Sequence, residues 1–448
     1  MDLYKWARCV LSGLAVFLFT SVVAVARDTA VQQWSFDRST FDTSADPCSD
    51  FYQHVCGAWS NPANIPADLP FASWARYFAT KTNDDDLRKL LLGTTEIDDP
   101  EVLRLRTFVA ACMTLSRQFS QRFIGPVVRG QATAIAARVR DEVANSTPSF
   151  VWLSPAARAA TEQRVRLLDL KVAYPDQSPE SGDFPLSKSD FLANVLQAQH
   201  YEQHRVWARV QQERRRDSWE TTVYPNEAAG MAAARLVIPN GFPDQTTNSI
   251  VLTAASLQTP LYDAAAPVEV RYGTFGFLVG HELGHILENH DYDADGQPKE
   301  SWSAADSAAH DEQTACIIAE ANQYVAVEGA HLDGTKTAGE NFGDLSGLYH
   351  AYTAMARDLG GHVSDRGADG FTPAQRFFIA YAQQWCTAER PEFARENLRD
   401  DGHAPARYRT NAPLSNMPAF AHAFSCPTTA PMVRPASARC SFWGLAFP

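Results

Sequence analysis

The chain has 448 residues, 45% of them hydrophobic and 20% charged. That is the balance of a folded globular protein and excludes a wholly disordered chain, a coiled coil or a polytopic membrane protein. With 39 Lys+Arg against 52 Asp+Glu the formal charge is -13, the sign that a phosphate backbone repels, so no nucleic-acid partner is expected.

At the N-terminus, Lys5 and Arg8 precede an uncharged run, 9–26, that ends in Ala24-Val25-Ala26 before charge resumes at Arg27 and Asp28. These are the marks of a secretory signal over 1–26, with an uncleaved signal anchor as the alternative. Either reading puts the bulk of the chain outside the cytoplasm, secreted or held as a type II membrane protein. A membrane partner is expected only if the segment stays attached. Cleavage would remove Cys9 and leave an odd number of the 8 cysteines, most of them paired in an oxidising compartment. None is spaced C-x-x-C, which argues against a cysteine zinc site. Asn145-Ser146-Thr147 is a glycosylation sequon suited to a secreted surface loop.

Residues 28–60 are polar and turn-rich, with Pro47-Cys48 and Gly57 as breakers. The stretch 87–216 reads mainly helical, and Ser154-Pro155 is an N-cap and first-turn pair for a helix over 156–170. Arg214-Arg215-Arg216 sits among Gln, Glu and Asp and reads as a solvated helix face. The texture then changes: 235–239 and 249–253 are short β-rich runs flanking a turn-rich 241–247, the pattern of a hairpin. Helical patterns follow at 274–287, 304–327 and 340–356.

The chemistry gathers in the first and last of these three helical stretches. His281-Glu282-Leu283-Gly284-His285 is an H-E-x-x-H motif, and Phe275, Leu278, Val279, Leu283 and Ile286 make an apolar stripe at helical spacing. The two His therefore lie one turn apart on one face, where both can reach a single Zn²⁺, with Glu282 beside the water that the metal activates. A catalytic zinc needs a third protein ligand. Gly339-Glu340-Asn341-Phe342-Gly343-Asp344 offers Glu340, with Asp344 one turn on as an acceptor that orients a ligand His; a charged helix face would show the same pair. Asp291-x-Asp293-x-Asp295-Gly296 looks like the start of an EF-hand loop, but Trp302 stands where a bidentate Glu is required and Pro298 interrupts it, so it reads as a turn.

Other segments carry motifs in the same order as a known family. They are Pro47-Cys48-Ser49-Asp50-Phe51-Tyr52 running on to Cys56-Gly57-Ala58-Trp59, then Trp152-Leu153, Tyr174-Pro175-Asp176, and 414–426, which includes Asn416-Met417-Pro418-Ala419-Phe420. Together with H-E-x-x-H and G-E-N-x-x-D, this set resembles the neprilysin and endothelin-converting-enzyme family of zinc metallopeptidases, here in a shortened form. The resemblance implies a mostly α, α+β fold: a thermolysin-like zincin catalytic domain with a small sheet and a reduced helical domain. The expected organisation is a signal over 1–26, an N-terminal arm over 27–110, the reduced helical domain over 111–225 and the zinc peptidase domain over 226–448.

Carried over residue by residue, the resemblance makes His281, His285 and Glu340 the ligands of one catalytic zinc and Glu282 the general base. Asp344 becomes the partner of a ligand His, with a share in proton transfer. His403 steadies the oxyanion and Arg409 grips a substrate carbonyl, both within the segment 401–409. Asn240 and Gly241 hold the substrate backbone eight residues before Asn248, with Pro243 in place of the family's Tyr. Phe277, Leu278 and Trp385 match an apolar pocket beyond the scissile bond, although ordinary core packing explains them equally well. The resemblance also implies the pairs Cys48–Cys426, Cys56–Cys386 and Cys316–Cys440, with Cys112 free or buried.

The family-like text jumps from near Cys112 to 115–123, as if a large helical domain that arches over the active site were cut down. A more open cleft is therefore expected. The function implied is a secreted zinc endopeptidase acting on peptides or unfolded proteins. The alternative is a catalytically silent zinc- or peptide-binding ectodomain of the same fold. Retention of Glu282 favours the first, because a silent site has no chemical need for a base.

Overall fold

The computed structural model describes residues 36–67, 69–75, 124–174, 239–244, 247–287, 291–292, 298–299, 302–440 and 442. The signal segment, Cys112, 115–123, the Arg214–Arg216 run and Pro175-Asp176 lie outside these residues. The described part is mostly helical. Its helices are α1 (Phe51–Cys56), α2 (Pro126–Ser146), α3 (Pro155–Arg166), α4 (Phe277–Leu287), α5 (Ala304–Asn322), α6 (Ala338–Asp358), α7 (Pro373–Gln383), α8 (Pro391–Asp400), α9 (Ala406–Ser415) and α10 (Pro418–Ala423). A short turn, Val268–Arg271, leads through a π-helical stretch, Tyr272–Gly276, into α4. One apolar core runs from Phe36 to Phe442 and takes in residues of α2, α3, α4, α6 and α7.

Local sequence sets several helix starts. Ser154 accepts from Ala157 N with Pro155 in the first turn of α3, and Ser303 closes a capping box with Asp306 at the start of α5. The two caps share one acid. Asp306 takes hydrogen bonds from Ser303 N and Oγ at 3.1 and 2.6 Å and from Ser154 N and Oγ at 2.6 and 3.1 Å, so a single carboxylate ties two helix N-termini together.

Three small sheets complete the fold: β1 (Phe71–Ser73) with β7 (Thr387–Glu389), β5 (Asp291–Tyr292) with β6 (Pro298–Lys299), and a three-stranded sheet in the order β2 (Asp169–Ala173), β4 (Ser249–Thr253), β3 (Gly241–Asp244). In the last, β2 and β4 are parallel and β3 is an antiparallel edge with Gly241 opposite Leu252.

Three expectations need correcting. The first strand of the hairpin is β3, inside the segment read as a turn; only Pro239 of 235–239 is described. Gly, Pro and Asp hid it because turn composition does not forbid an edge strand, where the donor that proline lacks is tolerated. The helix expected over 156–170 stops at Arg166, and Leu170 belongs to β2, which pairs with a strand far along the chain that local periodicity cannot see. The helix expected over 304–327 ends at Asn322, followed by a 3-10 turn at Val327–Gly329. The acidic EF-hand look-alike falls at the β5–β6 hairpin, with Asp291 opposite Lys299.

All three implied disulfides are present: Cys48–Cys426, Cys56–Cys386 and Cys316–Cys440. Two of them fasten the N-terminal arm to the C-terminal third of the chain.

Candidate active site

The site is built where α4 and α6 cross, and glycines decide how closely they approach. A Cβ on Gly280 would come within 2.8 Å of Gly347 Cα, and one on Gly347 within 2.7 Å of His281 N. Contacts that short are not seen for real side chains, so the two backbones touch. The imidazole of His281 lies over Gly343, whose Cβ would stand 2.9 Å from the ring. This close crossing lets Glu340, in the first turn of α6, reach the histidines of α4.

The three expected ligands do converge. His281 Nε2 and His285 Nε2 are 3.1 Å apart, and Glu340 Oε2 is 3.2 Å from the first and 3.8 Å from the second. His403 Nε2 approaches the same oxygen at 3.1 Å. Glu340 Oε2 is nevertheless buried without a hydrogen bond of normal geometry. A buried carboxylate oxygen with that want, facing two imidazole nitrogens, fits a divalent cation with nitrogen and oxygen ligands. Among the described residues His281, His285 and Glu340 form the group able to hold a metal ion.

Asp344 sits behind this group. It is 1% exposed, lies 3.0 Å from His281 Nδ1, and receives Arg409 Nε and Nη2 at 2.7 and 2.6 Å. Burial alone would raise its carboxyl, but the Arg409 charge and these hydrogen bonds hold it below the usual carboxylate range. Arg409 also stacks over Trp385 at 4.1 Å, and its carbonyl accepts from Tyr381 Oη. For His281, burial acts downward, yet the close carboxylates of Asp344 and Glu340 raise it to about 10. His285 is pushed down to about 4 by burial and by its neighbour's charge.

Glu282 is buried, and burial pushes it up to about 7 against the opposing charge of His281. It faces the sheet. A Cβ on Gly241 would lie 2.8 Å from Glu282 Cγ, so glycine at this place lets the edge strand lie flat against the acid. Asn240 is the residue before that strand, and its carbonyl accepts from Thr253 N at 3.1 Å and Ser256 Oγ at 2.9 Å. Asn248 stands apart, with positive φ in the turn before β4 and its side-chain nitrogen on Arg164 O at 3.1 Å. Pro243 pairs with Ile250 on the edge strand.

His403 is half exposed at the cleft, with Nδ1 2.7 Å from Asp401 Oδ1. Its hydrogen bond to Asp401 and the nearby Glu340 carboxylate raise it to about 9. Sequence reading had missed Asp401 in this role; the signal available was an acid two residues before a histidine. Also missed were the glycines at i and i+4 on both α4 and α6, an unusual pattern within helices. Phe277, Leu278 and Trp385 line the cleft of about 1000 Å³ that contains these groups.

Comparison with known proteins agrees with this geometry. The models of peptidase family M13 match residues 47–123 and 240–440. The chain belongs to peptidase family M13. The M13 match contains every candidate site residue, while α2 and α3 lie between its two parts. Endothelin-converting enzyme 1 of Homo sapiens is 28% identical over 327 residues, which are 70% of this chain and 40% of that protein. Membrane metallo-endopeptidase-like 1 of Mus musculus is 26% identical over 366 residues, 80% of this chain and 47% of that protein. The crystal structure of zinc metalloprotease Zmp1 of Mycobacterium tuberculosis with an inhibitor superposes with a TM-score of 0.64 at 25% identity, covering 79% of this chain and 53% of that one. The chain thus spans less than half the length of the curated M13 relatives it matches.

Proposed function

We propose that the chain is a zinc-dependent endopeptidase that hydrolyses peptide bonds. The observation that carries this is the unsatisfied Glu340 Oε2 facing two imidazoles, with Glu282 packed against Gly241 of β3. A zinc ion held by His281 Nε2, His285 Nε2 and Glu340 Oε2 supplies the Lewis acidity that makes water a nucleophile near neutral pH.

The chain's own residues do the rest. Asp344 holds the Nδ1 side of His281 and so turns Nε2 toward the cation. Glu282 takes the proton of the attacking water and hands it to the leaving amine; a carboxyl raised to about 7 by burial is matched to both transfers. His403, protonated at neutral pH beside Asp401, donates to the oxygen on which negative charge develops. Arg409, two of whose nitrogens are held by Asp344, presents the remaining Nη1 to a substrate carbonyl. An extended peptide docks beside β3, the outer strand of its sheet among the described residues, and Phe277, Leu278 and Trp385 take an apolar side chain after the scissile bond.

Three disulfides support a chain exported to an oxidising compartment, in keeping with the signal read over 1–26. Among the described residues no helix is long and apolar enough to cross a membrane. The short span relative to M13 relatives supports a cleft open to longer substrates. Confinement of cleavage to short peptides in a parallel digest of an unfolded protein would count against that openness.

The deciding experiment is hydrolysis of a peptide by the wild type and Glu282→Gln, each with and without a zinc chelator. Wild-type activity lost to chelator, and lowered on the order of 10²–10⁴-fold in the variant, is expected. Binding of zinc and peptide with no turnover in any sample would establish the second reading, a silent ectodomain, which draws on Pro243 standing where the resemblance expects Tyr.

A further inference from the structure

The cleft holds one acid for which the mechanism has no use. Glu389 ends β7 and lines the cleft four residues after Trp385. Among the described residues, the arginines and His403 that line the same cleft already have carboxylates: Arg409 is on Asp344, Arg407 on Asp50, and His403 on Asp401 and Glu340. The neighbouring Arg390 spends its guanidinium on Leu69 O at 2.8 Å and Pro66 O at 3.1 Å. Among the described residues no side chain pairs with Glu389. Burial pushes its carboxyl upward.

Its surroundings are aromatic. Phe71 stands opposite Glu389 in the β1–β7 register, so both side chains rise from one face of the ribbon. Phe71 is stacked on Phe393 with ring centroids 4.6 Å apart. Tyr52 and Tyr324, on the other side, feel the Glu389 charge, and all four rings line the cleft. A half-buried carboxylate without a countercharge, walled by rings, suits a long aliphatic stem with a cationic head. Such a ligand restores the charge balance that burial leaves unmet.

We propose that Glu389 and the rings of Phe71, Phe393 and Tyr324 form a specificity subsite for a lysine or arginine side chain of the peptide substrate. This rests on the peptidase reading. The subsite shares its cleft with the metal group, and because it is built on a fixed β ribbon the basic residue is selected at one fixed distance from the scissile bond.

The test uses the full chain loaded with zinc and N-acetylated, C-amidated peptides in which one lysine is moved stepwise through a norleucine-containing sequence. Acetylation removes the terminal ammonium as a rival cation. At one register lysine should raise kcat/KM over norleucine on the order of tenfold, the size of a charge-assisted contact. Glu389→Gln should collapse that ratio toward one, and Glu389→Lys should invert it in favour of glutamate at the same register. A lysine ratio unchanged in Glu389→Gln, or no register that favours lysine, overturns the proposal. Calorimetric binding of the same pairs separates the two readings. Lysine preference in binding without hydrolysis would sink the peptidase reading and leave this subsite standing; hydrolysis of every peptide with no preference would do the reverse.

Discussion

Asp344 carries two loads at once, orienting His281 and neutralising Arg409 at a place with 1% exposure. Replacing it by Asn should weaken zinc binding about 10–100-fold, read by chelator competition. It also strands a buried guanidinium, so the metal-free protein should lose about 3–5 kcal/mol of stability in a denaturant titration. A variant with weakened zinc binding and an unchanged apo stability would show that Arg409 finds another partner. The group able to hold a metal was legible in the sequence in part because its spacing is local: His281 and His285 are one helical turn apart, and Glu340 and Asp344 repeat that interval, although a charged helix face would show the same second pair. His403 and Arg409 were reachable only through the resemblance, since no local pattern marks them. Gly241 was read for its carbonyl, but its lack of a side chain beneath Glu282 needs coordinates to be seen.

The helix pair shows what a pattern can and cannot convey. Gly280 and Gly284 on α4 meet Gly347 and Gly343 on α6, and glycine in a helix interior normally costs about 0.5–1 kcal/mol relative to alanine. Here the sign should reverse. Gly347→Ala places a methyl 2.7 Å from His281 N, against backbone that cannot swing aside. A loss of about 1–3 kcal/mol in thermal unfolding is expected, with metal affinity reduced because Glu340 moves away. An unchanged melting temperature would mean that the helices separate easily.

A second element-scale prediction concerns Asp306. Burial opposes its ionisation, but the hydrogen bonds from Ser303 and Ser154 prevail and lower its pKa from 3.8. A depressed acid contributes stability above its unfolded pKa and loses it as pH falls through the folded value. Asp306→Asn should therefore cost about 1 kcal/mol at pH 7, the scale of a helix cap, and the gap from wild type should close below pH 3.8. A gap of constant size across that range would rule out the charged form as the tie. The strands were the hard part to read. β2 and β3 owe their existence to pairing with β4, and pairing partners are invisible to composition.

At the scale of the whole molecule, a large apolar core and three disulfides connect the N-terminal arm with the C-terminal third among the described residues. Cys48–Cys426 and Cys56–Cys386 span 378 and 330 residues of chain, so almost any single cut between them leaves the pieces joined. Limited proteolysis should therefore give one band on a non-reducing gel and fragments after reduction; fragments without reductant would contradict the arm's attachment. The same two bridges set a clock on biogenesis. Ribosomes deliver Cys48 and Cys56 some 378 and 330 residues before their partners, and the two earlier thiols are only eight positions apart. Until Cys386 and Cys426 emerge, each early thiol must be kept from the other, because a bond between them would leave the arm with nothing to hold. The arm is thus secured only after hundreds of later residues have been made, and oxidative refolding should yield more correctly paired protein when a disulfide isomerase is present.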